Sequence, residues 1–412
     1  MSPTAGARRE GVGPAAWILG AGVVAALHVG KLSAALPVLR QELDLTLVQA
    51  GFLVSLVQLA GMMLGLFTGV AADTVGLRRS MLTGLLLLGG ASFCGAWAQG
   101  AEVLMWLRAV EGLGFLLTVM PAPALIRQHV SMHRLSTMLG FWGAYMPLGT
   151  AMALLLGPWL MVQAGWQGWW QGMAALSCWM AFMLWRKLPV TARPERPRTR
   201  EQSSAATASW AARLGRTLRS GGAWLVALSF GMYSAQWLAI IGFLPTIYDQ
   251  AGWAGGATAV MTALVAAVNM VGNIGAGKLL QKGARPTALM YIGFAVMALA
   301  AALAFGQWHL PGFAGEQAWG RYLAVLCFSA VGGVIPGTLF SLAVRHAPSE
   351  DTVSTTVGWM QQWSALGQFA GPPLVAWMAA WKGGWQWTWM VTGAFALMGM
   401  GLTWLLAQRS RA

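Results

Sequence analysis

Apolar residues run along this chain in long stretches, with polar residues confined to short interruptions between them. About twelve such runs can be traced, near 15–39, 48–71, 80–98, 103–127, 135–162, 168–187, 222–248, 256–279, 286–306, 319–345, 352–380 and 386–407. A helix needs about 20 predominantly apolar residues to cross a bilayer. The pattern therefore predicts twelve transmembrane helices, several of them tilted or extended beyond the hydrocarbon. The one long polar interruption, Leu188–Gly221, is rich in Pro, Arg, Ser, Thr and Ala. It divides the chain into a six-helix half at 1–187, a linker at 188–221 and a second six-helix half at 222–412. Within the linker, a short amphipathic helix around Trp210–Leu218 is expected to lie on the membrane. Arg8 and Arg9 precede a run of full membrane length, which reads as a first spanning helix rather than a cleavable leader.

Composition narrows the class to an all-α polytopic membrane protein. Of 412 residues, 57% are hydrophobic and 9% charged, against about 25% charged in soluble proteins. The formal charge of +14 would suit a nucleic-acid partner, but its placement is topological. With the N-terminus inside, one face collects Arg78, Arg79, Arg127, Arg134, Arg186, Lys187, Lys278, Lys282, Arg285, Arg345 and the linker arginines; the opposite face has only Arg40, Arg321 and Lys382. That asymmetry is the positive-inside pattern, and it places both termini in the cytoplasm. Among the 24 tryptophans, Trp97, Trp166, Trp169, Trp170, Trp381 and Trp385 fall near run ends, where an interfacial belt is expected. Cys94, Cys178 and Cys327 lie apart inside apolar runs and read as inert packing residues. A phosphate-binding glycine loop, an H-E-x-x-H helix and paired Cys-x-x-Cys spacing are all missing, so the chain reads as no enzyme and no ATP-driven pump, with no cofactor and no metal.

Between the second and third runs stands Gly69-Val-Ala-Ala-Asp73-Thr-Val-Gly76-Leu-Arg78-Arg79. Gly69 admits close helix approach, Gly76 permits positive φ, and Asp73 can accept bonds from backbone N–H groups or an arginine. This G-x3-D-x2-G-x-R-R pattern resembles the loop between helices 2 and 3 of the major facilitator superfamily. Arg108-Ala-Val-Glu111-Gly112-Leu-Gly114 resembles that family's helix 4 pattern, with Glu for the usual Gln. Gly358-x8-Gly367-x3-Gly371-Pro372 resembles the glycine–proline pattern that its antiporters carry in helix 5. Here helix 5 has Gly140 and Gly149, but its Gly157-Pro158 comes four residues late.

The halves also echo each other. Arg127, Gly140 and Gly149 recur as Arg345, Gly358 and Gly367 at an offset of 218; Gly65, Gly76 and Arg78 recur as Gly272, Gly283 and Arg285 at 207, with Leu280 in the place of Asp73. Val119-Met-Pro121, Gly140-Phe-Trp142, Gly157-Pro158-Trp159-Leu160, Phe243-Leu-Pro245 and Trp359-Met-Gln361 make the chain similar to the cyanate/nitroimidazole-type subfamily. The resemblance implies a monomeric inner-membrane secondary transporter that works by alternating access. It also implies a gate formed by Gly69, Asp73, Gly76, Arg78 and Arg79.

Candidate site residues come from the ionisable groups inside the spans: Lys31, Arg108 and Glu111, with His28 beside them. Buried charges are costly and normally face a partner or a cavity. Arg108 and Glu111, three apart, share a helical face and can pair. Lys31 is then left formally unmatched, which suits a small organic or inorganic anion, and the subfamily resemblance implies cyanate as an example. Glu111 and His28 are the groups able to carry a coupling proton. Tyr145 in the first half, and Tyr233, Gln236, Asn269, Asn273 and Gln361 in the second, supply neutral donors and aromatic walls for the substrate. Two other readings compete: proton-driven efflux of an amphipathic compound, and a membrane receptor or scaffold that does not transport.

Overall fold

The computed structural model describes residues 13–66, 76–188, 200–253, 255–307 and 317–409, and helices account for nearly all of them. In the first half they are α1 (Gly13–Glu42), α2 (Leu47–Ser55), α3 (Leu59–Leu64), α4 (Leu77–Gly95), α5 (Ala101–Val119), α6 (Ala122–His129), α7 (Met132–Gly143) and α8 (Tyr145–Lys187). The linker contributes α9 (Arg200–Arg219). The second half contains α10 (Gly221–Gln250), α11 (Gly255–Gln281), α12 (Pro286–Phe305), α13 (Gln317–Gly332), α14 (Val334–Arg345), α15 (Val353–Lys382) and α16 (Thr388–Arg409). Among the described residues, nine helical segments are long and apolar enough to cross a membrane. The longest, α8, bends at Gly165 with φ 68°, which makes two spanning arms of it. The helices α4 and α15 are also of spanning length, so the arrangement agrees with twelve spans.

Several spans are broken. Helix 2 changes from α2 through a 3-10 turn at Leu56–Gln58 into α3. Helix 4 is interrupted at Met120–Pro121, between α5 and α6. Its counterpart in the second half is interrupted at Gly333, between α13 and α14. Proline lacks the N–H that continues a helix. Gly333 itself is required by packing, since a Cβ there would sit 2.2 Å from the Asn269 carbonyl of α11.

Within each half, glycines set the tightest contacts. A Cβ at Gly149 of α8 would lie 2.5 Å from the Ala26 side chain of α1, and one at Gly367 of α15 would lie 2.2 Å from the Gly231 carbonyl of α10. These are the glycines that repeat at an offset of 218, and they seat equivalent helices on equivalent neighbours. Between the halves, α2 and α3 pack on α15, α8 packs on α11, and α1 packs on α10. Gln58 donates to Gln368 Oε1 (3.0 Å) across this boundary. Gln362 accepts from the Leu66 N–H (3.1 Å) and donates to the Met62 carbonyl (2.8 Å).

Two expectations are corrected here. Trp166, Trp169 and Trp170 do not stand in an interfacial belt but are 1–2% exposed. Their indole N–H groups and ring faces have partners inside the first half: Trp166 Nε1 donates to Glu42 (2.6 Å) and Trp169 Nε1 to the Lys31 carbonyl (3.2 Å). Trp97 and Trp381 are exposed, as expected of belt residues. The three cysteines are free and exposed on outer helix faces rather than packed inside, since in a bilayer the outer face is itself apolar.

The linker helix is longer than the sequence suggested. Its Arg216 reaches back to the loop before α15, donating to Ser349 Oγ (3.0 Å) and Asp351 Oδ2 (2.5 Å). Hydrogen bonds from Ser349 and Arg216 hold the Asp351 carboxyl below its ordinary 3.8. The contact is therefore complete at neutral pH and is lost only as the pH falls through the acid range below that value. Both partners are about half exposed, and exposed pairs contribute little. R216A is expected to leave the melting temperature of the purified protein unchanged within error.

Candidate functional site

The ionisable residues of the first half converge on one point. Lys31 lies on the middle of α1, His28 one turn earlier on the same face, and Arg108 and Glu111 lie on adjacent turns of α5. Lys31 and His28 are 0% exposed, Arg108 and Glu111 2%. Glu111 bridges the two cations: Oε1 accepts from Lys31 Nζ, and Oε2 accepts from Arg108 at 2.7 Å. His28 Nδ1 lies 3.5 Å from Glu111 Oε1 without a hydrogen bond, while its Nε2 is paired with Ser177 Oγ at 2.8 Å. The expectation that Lys31 stands unmatched is thus corrected. The lysine stem is long enough for its ammonium to reach α5, a reach that spacing along one helix cannot show.

Each cation is further held by groups absent from the sequence-derived set. Lys31 Nζ donates to Ser92 Oγ of α4 (3.0 Å), which itself donates to the Trp170 carbonyl (2.8 Å). It also stands over the Trp170 ring, 4.5 Å from the centroid, a cation–π contact. The Arg108 guanidinium donates to the Leu53 carbonyl (3.1 Å), next to the 3-10 turn of helix 2, and to the His28 carbonyl (2.6 Å). A planar fork with five donors can serve a carboxylate and several carbonyls at once. The cluster is enclosed by α1, α4, α5 and α8, inside the first half.

Two cations share one carboxylate, and with His28 neutral the group carries a formal charge of +1. Such a charge buried at this depth is expensive. It is partly offset by the carbonyls and the ring face, and it responds strongly to any change in protonation of Glu111 or His28.

The second half holds a separate, uncharged network. Asn269 Nδ2 donates to Tyr233 Oη (2.9 Å) and to the Ser329 carbonyl (2.9 Å), and its Oδ1 accepts from Asn273 (3.1 Å). Trp237 Nε1 joins at Ser329 Oγ (3.3 Å). Gln236 is buried, but its amide turns back to the Met232 carbonyl of its own helix (2.9 Å) and its Oε1 has no partner. Gln361 is half-buried on α15 and makes no hydrogen bond among the described residues. Tyr145 stacks on Trp142 with ring centroids 4.4 Å apart, at the break between α7 and α8. Replacing Asn269 with Leu removes the partner of the Tyr233 hydroxyl and of the Asn273 amide, while the Ser329 carbonyl keeps the Gly333 N–H. A loss of about 1–2 kcal/mol is expected, read as a lower melting temperature.

Of the loop residues assigned to gating, Gly69 and Asp73 lie outside the described residues, as do Arg8, Arg9 and the linker residues 189–199. Gly76 adopts φ 96° as the residue before α4, the conformation glycine was expected to supply. Arg78 donates to the Trp185 carbonyl near the end of α8 (2.5 Å), and Arg79 is exposed.

Two helical halves in a membrane, with buried charge in one and a neutral polar network in the other, define a transporter architecture. The chain belongs to the Major Facilitator Superfamily, whose sequence model matches residues 18–371. It is accordingly a multi-pass membrane protein and a secondary transporter that works by alternating access, not an enzyme. Its fold is shared by a bacterial homologue of the human lysosomal transporter Spinster, in an inward-facing and unoccupied conformation. That likeness has TM-score 0.76 and 15% identity over 98% of each chain. The same homologue, inward-facing and occupied, gives 0.76 and 14% over 98% of each chain. A D-xylose–proton symporter gives 0.74 and 16% over 95% of this chain and 96% of that one. No curated protein matches the chain significantly.

Proposed function

We propose that this protein carries a small anion across a bacterial inner membrane together with a proton, with both termini in the cytoplasm. The observation that carries the reading is the Lys31–Glu111–Arg108 cluster with His28 at its edge. Glu111 holds two cations in place while ionised. Protonation of Glu111 releases Lys31 and raises the positive charge of the first half by one. No span of the second half carries a buried acid or base among the described residues, so nothing there cancels that charge. In a low-dielectric interior the field acts over the path between the halves and favours an anion. Co-transport of a proton offsets the cost of moving negative charge into a negative cytoplasm. Lys31 and Arg108 supply this field from within the first half rather than by direct contact in the present conformation. Tyr145, Tyr233, Asn269, Asn273 and Gln361 remain proposed contacts for the solute, and the loop from Gly69 to Arg79 a proposed gate. The short matches to the cyanate-type subfamily make cyanate the first solute to try.

The test is uptake of radiolabelled small anions, cyanate included, into proteoliposomes with and without an imposed pH gradient, with Lys31→Gln alongside. Uptake that rises with an acidic exterior and is lost in the variant is expected. Failure of every anion, together with proton-driven expulsion of a lipophilic dye, overturns the reading in favour of efflux.

A further inference from the structure

The halves are closed on each other at the end of the molecule where α1 and α10 terminate. Gly242 of α10 packs so tightly there that an added Cβ would lie 2.8 Å from the Val54 side chain and 3.8 Å from Ser33 Oγ. Beyond this seal an open cavity of about 240 Å³ lies between the two helices. Pro37, Arg40 and Gln41 line it from α1; Thr246, Asp249 and Gln250 line it from α10. Arg40 is seven residues past Ser33 and Asp249 seven past Gly242, so both charges stand about 10 Å beyond the seal.

The cavity has unspent bonding capacity. Arg40 is half-buried, and Asp249 and Gln250 are exposed at the cavity mouth. Arg40 and Asp249 share the cavity without forming an ion pair within 4 Å among the described residues. Gln250 Oε1 accepts from Trp385 Nε1 (2.8 Å), which fixes the amide and leaves its N–H groups to donate. At about 30 Å³ per water, the volume corresponds to about eight waters, enough for a solute of the size of a small amino acid.

We propose that this cavity is a binding site for a small zwitterion, with Arg40 holding the carboxylate, Asp249 the ammonium group, and Gln250 bonding between them. A cation and a carboxylate held apart, on opposite walls of a cavity, match a ligand with the reverse arrangement. A simple anion would leave Asp249 facing it, and a simple cation would face Arg40. Because the two charged walls belong to different halves, rocking them apart at this end dismantles the site. The ligand therefore favours the conformation closed at this end, in proportion to its difference in affinity for the two states. The site is separate from the buried cluster around Glu111 and does not depend on the identity of the transported solute.

The experiment measures binding of β-alanine, acetate and ethylammonium to the purified full chain, by calorimetry and by ligand-dependent shift of the melting temperature. β-Alanine is expected to bind saturably, with acetate and ethylammonium about tenfold weaker or worse. Arg40→Gln and Asp249→Asn are each expected to weaken β-alanine by a similar factor, and Gln250→Ala by less. Lys31→Gln, which tests the transport reading, is expected to leave β-alanine binding intact. Proper folding of every variant is read from a monodisperse elution profile, and of the cavity variants also from an unchanged melting temperature without ligand. The proposal is overturned if acetate binds as well as β-alanine, if Asp249→Asn binds it unchanged, or if none of the three probes binds.

Discussion

Glu111→Gln is expected to abolish proton-dependent uptake and to destabilise the protein by about 3–5 kcal/mol, the cost of breaking a buried ion pair by removing one partner. The amide is nearly isosteric, so packing is preserved and only charge and proton capacity are lost. Lys31 then keeps Ser92 Oγ and the Trp170 ring, and Arg108 keeps the Leu53 and His28 carbonyls. Neither set contains an anion, and two positive charges face each other without the carboxylate that bridged them. A second substitution separates the structural effect from the functional one. In Lys31→Met/Glu111→Gln, one cation leaves with the anion, and Arg108 remains satisfied by backbone carbonyls. The double variant is expected to melt higher than Glu111→Gln alone, the signature of a coupled pair, yet still to lack a response to the pH gradient. Thermal unfolding of the purified variants and uptake with and without a gradient read the two effects. A Glu111→Gln protein that melts like the parent and still couples to protons would remove Glu111 from both roles.

The convergence of these four residues was half legible in the sequence. The pairing of Arg108 with Glu111 follows from their spacing on one helix, and so does the shared face of His28 and Lys31. That α1 and α5 bring the two faces together is a matter of tertiary packing, which periodicity along one helix cannot report. Lys31 was therefore read as a lone cation, although its ammonium reaches Glu111. Ser92, Ser177 and Trp170 were missed because a serine or tryptophan in an apolar run gives no signal until its neighbour is known. Trp166 and Trp169 were misplaced for a related reason. They stand near a run end in sequence, but the bend at Gly165 folds that end back against α1. Span number was legible because bilayer thickness imposes a length on every helix. The interruptions at Pro121 and Gly333 were less so, since a proline or glycine in a spanning helix can be tolerated without a break.

The repeated glycines give the sharpest contrast between pattern and packing. Gly140 and Gly149 recur as Gly358 and Gly367, so by sequence alone the members of each pair deserve equal weight. The structure separates them. Around Gly358 and Gly140 an added Cβ would meet nothing within 4 Å, whereas at Gly367 it would meet the Gly231 carbonyl at 2.2 Å and at Gly149 the Val23 carbonyl at 2.6 Å. Those obstacles are backbone atoms of a neighbouring helix, and no side-chain rotation relieves them. Gly367→Ala must therefore push α15 away from α10, and Gly149→Ala must push α8 away from α1. Overpacking of this kind costs about 1–3 kcal/mol. In this protein it also shifts helices that carry the contacts between halves, among them Gln58–Gln368 and the two hydrogen bonds of Gln362, to the Met62 carbonyl and from the Leu66 N–H. The expected result is a lowered melting temperature and little or no transport for Gly149→Ala and Gly367→Ala, with Gly140→Ala and Gly358→Ala near the parent in both. Equal sensitivity at all four positions would instead mean that Gly140 and Gly358 are packed in another state of the transport cycle, and that the tolerance inferred from this conformation does not hold for the cycle as a whole.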